Sequence, residues 1–186
     1  MPARPTTLAA MLLLLSGNAD DDFNAAGYRT AHVRSPVSRA PDGTARIAVP
    51  AAAGIWRSRD AIFIDVLPAE GGAADPKTGR WRLAEPHSSI PGAFWFPGSG
   101  AGEPPIATNR WLQRGLASLT RGQKDRMVVV FCKADCWLSW NAARRLASSG
   151  YRNVWWLAEG VDGWREAGMP LAPVHPQIIS EISDSR

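Results

Sequence analysis

Cysteine, histidine and tyrosine are all scarce in this chain: its 186 residues include two, three and two of them. The shortage of thiols limits the chemistry. A thiolate metal site usually needs a second pair of ligands at matching spacing. Cys132 and Cys136 have none, so metal binding through them with Asp135 or His87 is a weak signal, and no metal or cofactor is expected. Basic clusters that would grip nucleic acid are also missing, because the 21 lysines and arginines are scattered among 17 acids and 15 prolines, for a net charge of only +4. A nucleic-acid role is therefore unsupported. The apolar run from Leu8 to Leu15 is far too short to span a bilayer. No internal repeat is visible.

That same apolar run has another meaning. In the opening MPARPTTLAAMLLLLSGNA, Arg4 supplies a short positive region, Leu8 to Leu15 the apolar core, and Gly17 and Ala19 the small residues before a cleavage point. This is the pattern of a secretory signal over residues 1–19, so the mature chain is expected in the periplasm with no membrane span. Cleavage would remove Arg4 and no acid, leaving a net charge of +3. Export matters for Cys132 and Cys136, because disulfides persist in such a compartment. They are the only candidates for one.

A composition of 45% hydrophobic and 20% charged residues is that of a globular protein, and the length suits one domain with extensions. The nine tryptophans point to a large core. Residues 20–44 are polar and rich in turn formers and read as an extended arm lying on the domain. The domain itself is placed at residues 45–175, with a tail at 176–186. Within it ARIAVP suggests a short strand, Pro50 opens a helix, and AIFIDVLP reads as a buried strand. About twenty residues from Ala69 to Ser88 follow, too long for an ordinary connection, and are expected as a flap near the cysteines or as a disordered excursion. IPGAFWFP, MVVVF and NVWWL read as further strands, NRWLQRGLASLT and SWNAARRLASSG as helices. Strands alternating with helices imply a parallel sheet covered on both faces.

In such folds ligands sit where strands end and helices begin, and Cys132 directly follows MVVVF. Loop amides and a helix N-terminus there would favour a thiolate, and Lys133 could add to the field. Cys132 is thus expected to have the lower pKa and to attack, while Cys136, beside the apolar Trp137 and Leu138, acts as the resolving thiol. Ser139 is expected to cap the helix from Trp140 and secondarily to offer its hydroxyl to the Cys132 sulfur. Trp137 could wall the site. Of Trp155 and Trp156, which point to opposite faces, one can line it. Asp65, ending a buried strand, reads as a structural hydrogen-bonding acid. His32 and His175 have no visible role.

VVVFC, SWNAARRL, GYRNVWWL and EGVDGWREAGMPL, with IDV at Ile64 to Val66 and SIPGA at Ser89 to Ala93, resemble the rhodanese family over roughly Arg46 to Leu171. The resemblance implies a single rhodanese-like α/β domain with five parallel strands. It also exposes a departure. The arginine that closes the loop in many rhodaneses would fall at Trp137, and that of phosphatase-like relatives at Leu138, so a bidentate grip on phosphate or arsenate is missing. CKADCWLSWNAA, Cys132 to Ala143, is similar to a narrower set, the PQQ-dependent catabolism-associated CXXCW motif family, although Lys133, Ala134 and Asp135 stand between the cysteines where that name has two residues.

Three functions stay open. In the first, a sulfurtransferase or persulfide carrier, Cys132 takes sulfur from a small sulfur-containing substrate and passes it on. In the second, Cys132 and Cys136 exchange disulfides with an exported protein thiol, a bridge between residues four apart being geometrically feasible. In the third the domain is a non-catalytic accessory module for a periplasmic quinoprotein or cytochrome system, an association that the narrower resemblance implies.

Overall fold

The computed structural model describes residues 22–75 and 78–178. The signal reading of residues 1–19 therefore lies outside the described residues, as does most of the tail.

Three short runs of β-branched and aromatic residues form the centre of the sheet: β2 (Ile62–Asp65), β7 (Val128–Phe131) and β8 (Val154–Leu157). Every residue of β2 and β7 is buried, as a parallel sheet covered on both faces requires. With β1 (Ala45–Arg46) and β6 (Phe94–Trp95) at the edges, the order is β1-β8-β7-β2-β6, and all pairs are parallel. Two helices cover each face. Leu112 and Leu116 of α2 (Ile106–Thr120) and Trp140, Ala143 and Leu146 of α3 (Trp137–Ser148) pack with Ile64, Val130 and Trp156. On the other face, Ala52 and Ala53 of α1 (Val49–Ser58) and Val161 and Trp164 of α4 (Gly160–Glu166) pack with Phe63, Val129 and Leu157.

Helix α1 carries Pro50 in its first turn, where a missing donor costs no intrahelical bond. Helix α2 starts at Ile106, three residues before the NRWLQRGL pattern, because Pro105 ends the preceding loop in an extended conformation and the backbone is free to coil from there.

The segment Ala69 to Ser88 differs from expectation. Its described residues are ordered: β3 (Ala73–Ala74) and β4 (Trp81–Arg82) form a small antiparallel ribbon, and β5 (His87–Ser89) pairs with β9 (Ala172–Val174), a strand the polarity pattern did not indicate. Trp81 stacks on Trp111 of α2 with ring centroids 6.0 Å apart. These contacts tie the described residues of the segment to α2 and β9. Past β9, Gln177 donates its backbone N–H to the Trp95 carbonyl, which fastens the start of the tail to the sheet edge.

The carboxyl ends of β2, β7 and β8 lie side by side, since Asp65 is in register with Phe131 and Phe131 with Leu157. A close approach of two backbones holds the cysteine loop against the start of α4. Gly160 has φ +53, and a Cβ built there would lie 2.4 Å from the Cys132 carbonyl oxygen. Gly160→Ala must therefore push the cysteine loop away or distort α4, and is expected to cost about 2–4 kcal/mol in chemical denaturation. A loss below about 0.5 kcal/mol would show that the loop is not held as described.

Candidate active site: a dithiol loop beneath the N-terminal arm

The chain leaves β7 at Phe131 and enters α3 at Trp137, so Cys132 to Cys136 form the turn at the carboxyl edge of the sheet. Cys132 is fully buried and Cys136 is 2% exposed; both are free thiols. The Cys132 sulfur lies 3.1 Å from Ser139 Oγ, 3.5 Å from the Cys136 carbonyl oxygen and 3.7 Å from the Lys133 carbonyl oxygen. Ser139 Oγ accepts a hydrogen bond from Trp156 Nε1 at 3.0 Å and reaches the Cys136 carbonyl at 3.2 Å. A single hydroxyl proton serves only one acceptor at a time. With Ser139 donating to that carbonyl, the Cys132 thiol donates to Ser139 while Cys136 is protonated and to the Cys136 sulfur once that is a thiolate; in both arrangements Cys132 keeps its proton.

The loop amides do not converge on Cys132 as expected, because outside partners take them. Ala134 donates its N–H to Asp162 Oδ2 at 3.1 Å, and Trp137 donates its N–H to the Val33 carbonyl at 2.9 Å. The Cys132 carbonyl itself accepts from Val161, and Lys133 bridges to Gly160. Asp135, exposed and with φ +50, turns the chain back toward the helix. The anion cradle is thereby reduced, and carbonyl oxygens face the Cys132 sulfur instead.

Ser139 is also not the helix cap. Cys136 takes the N-cap position, and Ser139 sits inside the first turn of α3. The helix gains Trp137 and Leu138 because the Val33 carbonyl, from the arm, satisfies one of the donors that a helix start leaves without an internal partner.

The arm is thus part of the site. Arg34 stands opposite Cys136 in an antiparallel bridge, Trp137 Nε1 donates to Ser35 Oγ at 3.0 Å, and Trp140 Nε1 donates to the Arg39 carbonyl at 3.0 Å. Asn141 of α3 clamps Arg29 from both sides, its Oδ1 accepting the Arg29 N–H and its Nδ2 donating to the Arg29 carbonyl, each at 2.9 Å. The Arg29 guanidinium lies 4.4 Å from the Trp137 ring centroid, with Phe23 packed edge-on at 5.5 Å. Trp137 therefore anchors the arm, and it is Trp156 that lines the site. Trp155 points away and donates to Asn153 Oδ1 at 2.7 Å.

The order of acidities is the reverse of that expected. Burial, with no compensating cation, pushes the Cys132 thiol well up. Cys136 is brought down to about 6, first by the adjacent Cys132 thiol and then, against its own burial, by the Leu138 amide and the Arg34 guanidinium. The expectation failed because it placed the amide cradle at the strand end and had no means of seeing Arg34. Lys133, half-buried, is not what charges the site. Leu138 packs its side chain against the same core cluster as both cysteines.

Asp65 occupies the next strand end. It is fully buried, accepting from Ser89 Oγ at 2.5 Å and from the Leu67 amide at 2.9 Å, with His87 Nε2 2.7 Å away. These partners satisfy a buried carboxyl. Beside the loop lies a cavity of about 90 Å³ bordered by Val37, Arg46, Asp135, Trp156 and Glu159, with Arg46 and Glu159 paired at 2.6 Å.

A paired thiol site at the end of a central parallel strand, in this strand order, agrees with the family match: the model of the rhodanese-like domain matches residues 57–167, more than half of the chain. The chain belongs to the rhodanese-like domain family. Similar solved structures include a thiosulfate sulfurtransferase from Pseudomonas aeruginosa, 21% identical over 77% of this chain and 22% of that one, with a TM-score of 0.48. The polysulfide-sulfur transferase homodimer from Wolinella succinogenes is 17% identical over 77% of this chain and 85% of its own, with a TM-score of 0.44. The Alr3790 protein from Anabaena sp. is 18% identical over 69% and 80%, with a TM-score of 0.48. A search of curated proteins found no match. Among the described residues of this rhodanese-like chain, no helix is long and apolar enough to cross a membrane.

Proposed function

We propose that this rhodanese-like protein is a sulfur carrier in which Cys136 takes up sulfane sulfur and Cys132 resolves it. The observation that carries the reading is the placing of two buried thiols in one turn at a strand end, with Arg34 of the arm opposite Cys136. The rhodanese-like fold supports a sulfurtransferase-type role. The thiolate, not the thiol, is the nucleophile. The Cys136 thiolate forms an S–S bond to the outer sulfur of the donor; the bond between that sulfur and the rest of the donor breaks, and the donor departs with the bonding pair. An acceptor thiolate can then remove the outer sulfur and return Cys136 as a thiolate. Alternatively Cys132 attacks the inner sulfur, hydrosulfide leaves with the Cys132 proton, and a Cys132–Cys136 disulfide forms, which a dithiol reductant must reopen.

With Cys132 replaced by serine, resolution is blocked while a hydroxyl donor remains beside Cys136. Incubation with thiosulfate or polysulfide is then expected to add the mass of one sulfur atom to Cys136, found by intact mass and peptide mapping. The wild type is expected to end as the disulfide, two hydrogens lighter. Uptake on Cys132 in a Cys136→Ser protein, with none on Cys136 in the Cys132→Ser protein, would reverse the roles. The second reading, thiol–disulfide exchange with a protein partner, is favoured by the same adjacency of the thiols and predicts the disulfide without any sulfur adduct.

The proposal extends to place and pathway. The opening segment supports export to the periplasm, and the CKADCWLSW resemblance supports service to a PQQ-dependent quinoprotein or cytochrome system, with an exported thiol as acceptor. N-terminal sequencing of envelope protein tests export, an intact Met1 arguing against it.

A further inference from the structure

Both cysteines sit under the arm, yet only one of them faces a cation. Arg34 lies directly opposite Cys136 in an antiparallel bridge, an arrangement that puts the two side chains on the same side of the pair. Its neighbours hold it there: the Val33 carbonyl accepts the Trp137 N–H, and the Ser35 hydroxyl accepts the Trp137 indole N–H. Three other arginines around the site are neutralised by carboxylates. Arg29 is paired with Asp22, Arg46 with Glu159 and Arg144 with Asp42. Arg34 is in no ion pair among the described residues.

We propose that Arg34, carried by the N-terminal arm, is the activating cation of the dithiol site, so that Cys136 is more readily ionised, and thereby more reactive, while the arm is docked on α3. The loop cannot supply this charge itself. Lys133 is paired through its backbone with Gly160 at the start of α4, and Asp135 carries the opposite sign. The cation instead arrives from a segment about a hundred positions earlier, and Asn141, Trp137 and Trp140 all hold that segment in place. Arm docking and thiol reactivity are then one equilibrium, since a docked arm lowers the cost of the thiolate and a thiolate strengthens docking by the same factor. The inference uses the assignment of Cys136 as the reacting sulfur but not the identity of any donor.

The test follows the thiolate itself by its ultraviolet absorbance during a pH titration of the reduced, full-length protein, with no sulfur donor present. Arg34→Ala is expected to raise the titration midpoint by about one unit, leaving roughly tenfold less thiolate below the midpoint, while Arg34→Lys restores most of the shift. Because Arg34 is exposed, raising the salt from low to high concentration should move the wild-type midpoint upward and leave that of Arg34→Ala in place. A residue that merely pins the arm would not be rescued by lysine and would show no salt dependence. An unchanged midpoint in Arg34→Ala, or a lysine variant no better than alanine, overturns the proposal. Failure of sulfur uptake with an intact Arg34-dependent midpoint would instead count against the sulfur-carrier reading alone.

Discussion

Replacing Cys132 by alanine is expected to move the proton loss of Cys136 from near pH 6 back toward the ordinary thiol value, about 8.5, the largest single change available at this site. The adjacent Cys132 thiol is the foremost cause of the lowered value, ahead of the Leu138 amide and Arg34, so its removal acts more strongly than Arg34→Ala. Cys132→Ser should fall between wild type and alanine, because a hydroxyl can still donate. The converse replacement, Cys136→Ala, leaves Cys132 buried with only Ser139 to favour its charged form, so its proton loss should stay above the ordinary thiol range, though by less than in the wild type because Cys136 itself helps to raise it. Thiolate absorbance against pH, with both variants checked for native fold, decides the matter. A titration near pH 6 that survives Cys132→Ala but vanishes in Arg34→Ala would make the cation the sole cause.

The same shifts fix how stability varies with pH. Cys136 loses its proton in the folded chain at a lower pH than in the unfolded chain, so from about pH 6 to 8.5 the unfolded state binds more protons and stability rises with pH. Above the unfolded thiol value the sign changes. Cys132 then keeps in the folded state a proton that the unfolded chain gives up, and stability falls. Denaturation of the reduced protein should accordingly show a maximum near pH 8.5 that is absent when both cysteines are alanine.

Much of the architecture could be read from the chain because it rests on local patterns. The runs IFI, VVVF and VWWL are apolar throughout, and in a chain that alternates strands with helices such runs have one arrangement that buries both sides. The thiols, too, were visible, as the only two cysteines and directly after a strand. What was not visible came from distant pairings. Nothing in HVRSPVSRAPDGT signals that Arg34 should stand opposite Cys136 or that Val33 should complete the start of α3, since both depend on where a polar, non-periodic arm settles. Likewise HSS and APV are too short and too polar to be read as strands until they pair with each other. The assignment of the lower pKa to Cys132 failed for a related reason: counting amides along the loop ignores that Ala134 and Trp137 donate theirs to Asp162 and Val33.

Asp65→Ala should destabilise the fold more than any single change in the cysteine loop, by about 3–5 kcal/mol. Three donors converge on this fully buried carboxyl, and truncation removes the shared partner of Ser89, His87 and the Leu67 amide at once. The damage spreads along a defined path. His87 belongs to β5, whose pairing with β9 holds the C-terminal strand, and its ring lies 4.3 Å from that of Trp95, whose indole N–H donates to the Leu67 carbonyl. Loosening Asp65 therefore frees the β5–β9 ribbon from the sheet edge that Trp95 and Gln177 define. Asp65→Asn, which keeps the shape and one acceptor, should cost about 1–2 kcal/mol. Chemical denaturation gives both values. Because Asp65 holds a neighbouring strand end rather than a sulfur, sulfur uptake per folded molecule should stay near wild type at low temperature. A stable Asp65→Asn protein that no longer takes up sulfur would instead move this acid from the scaffold into the chemistry.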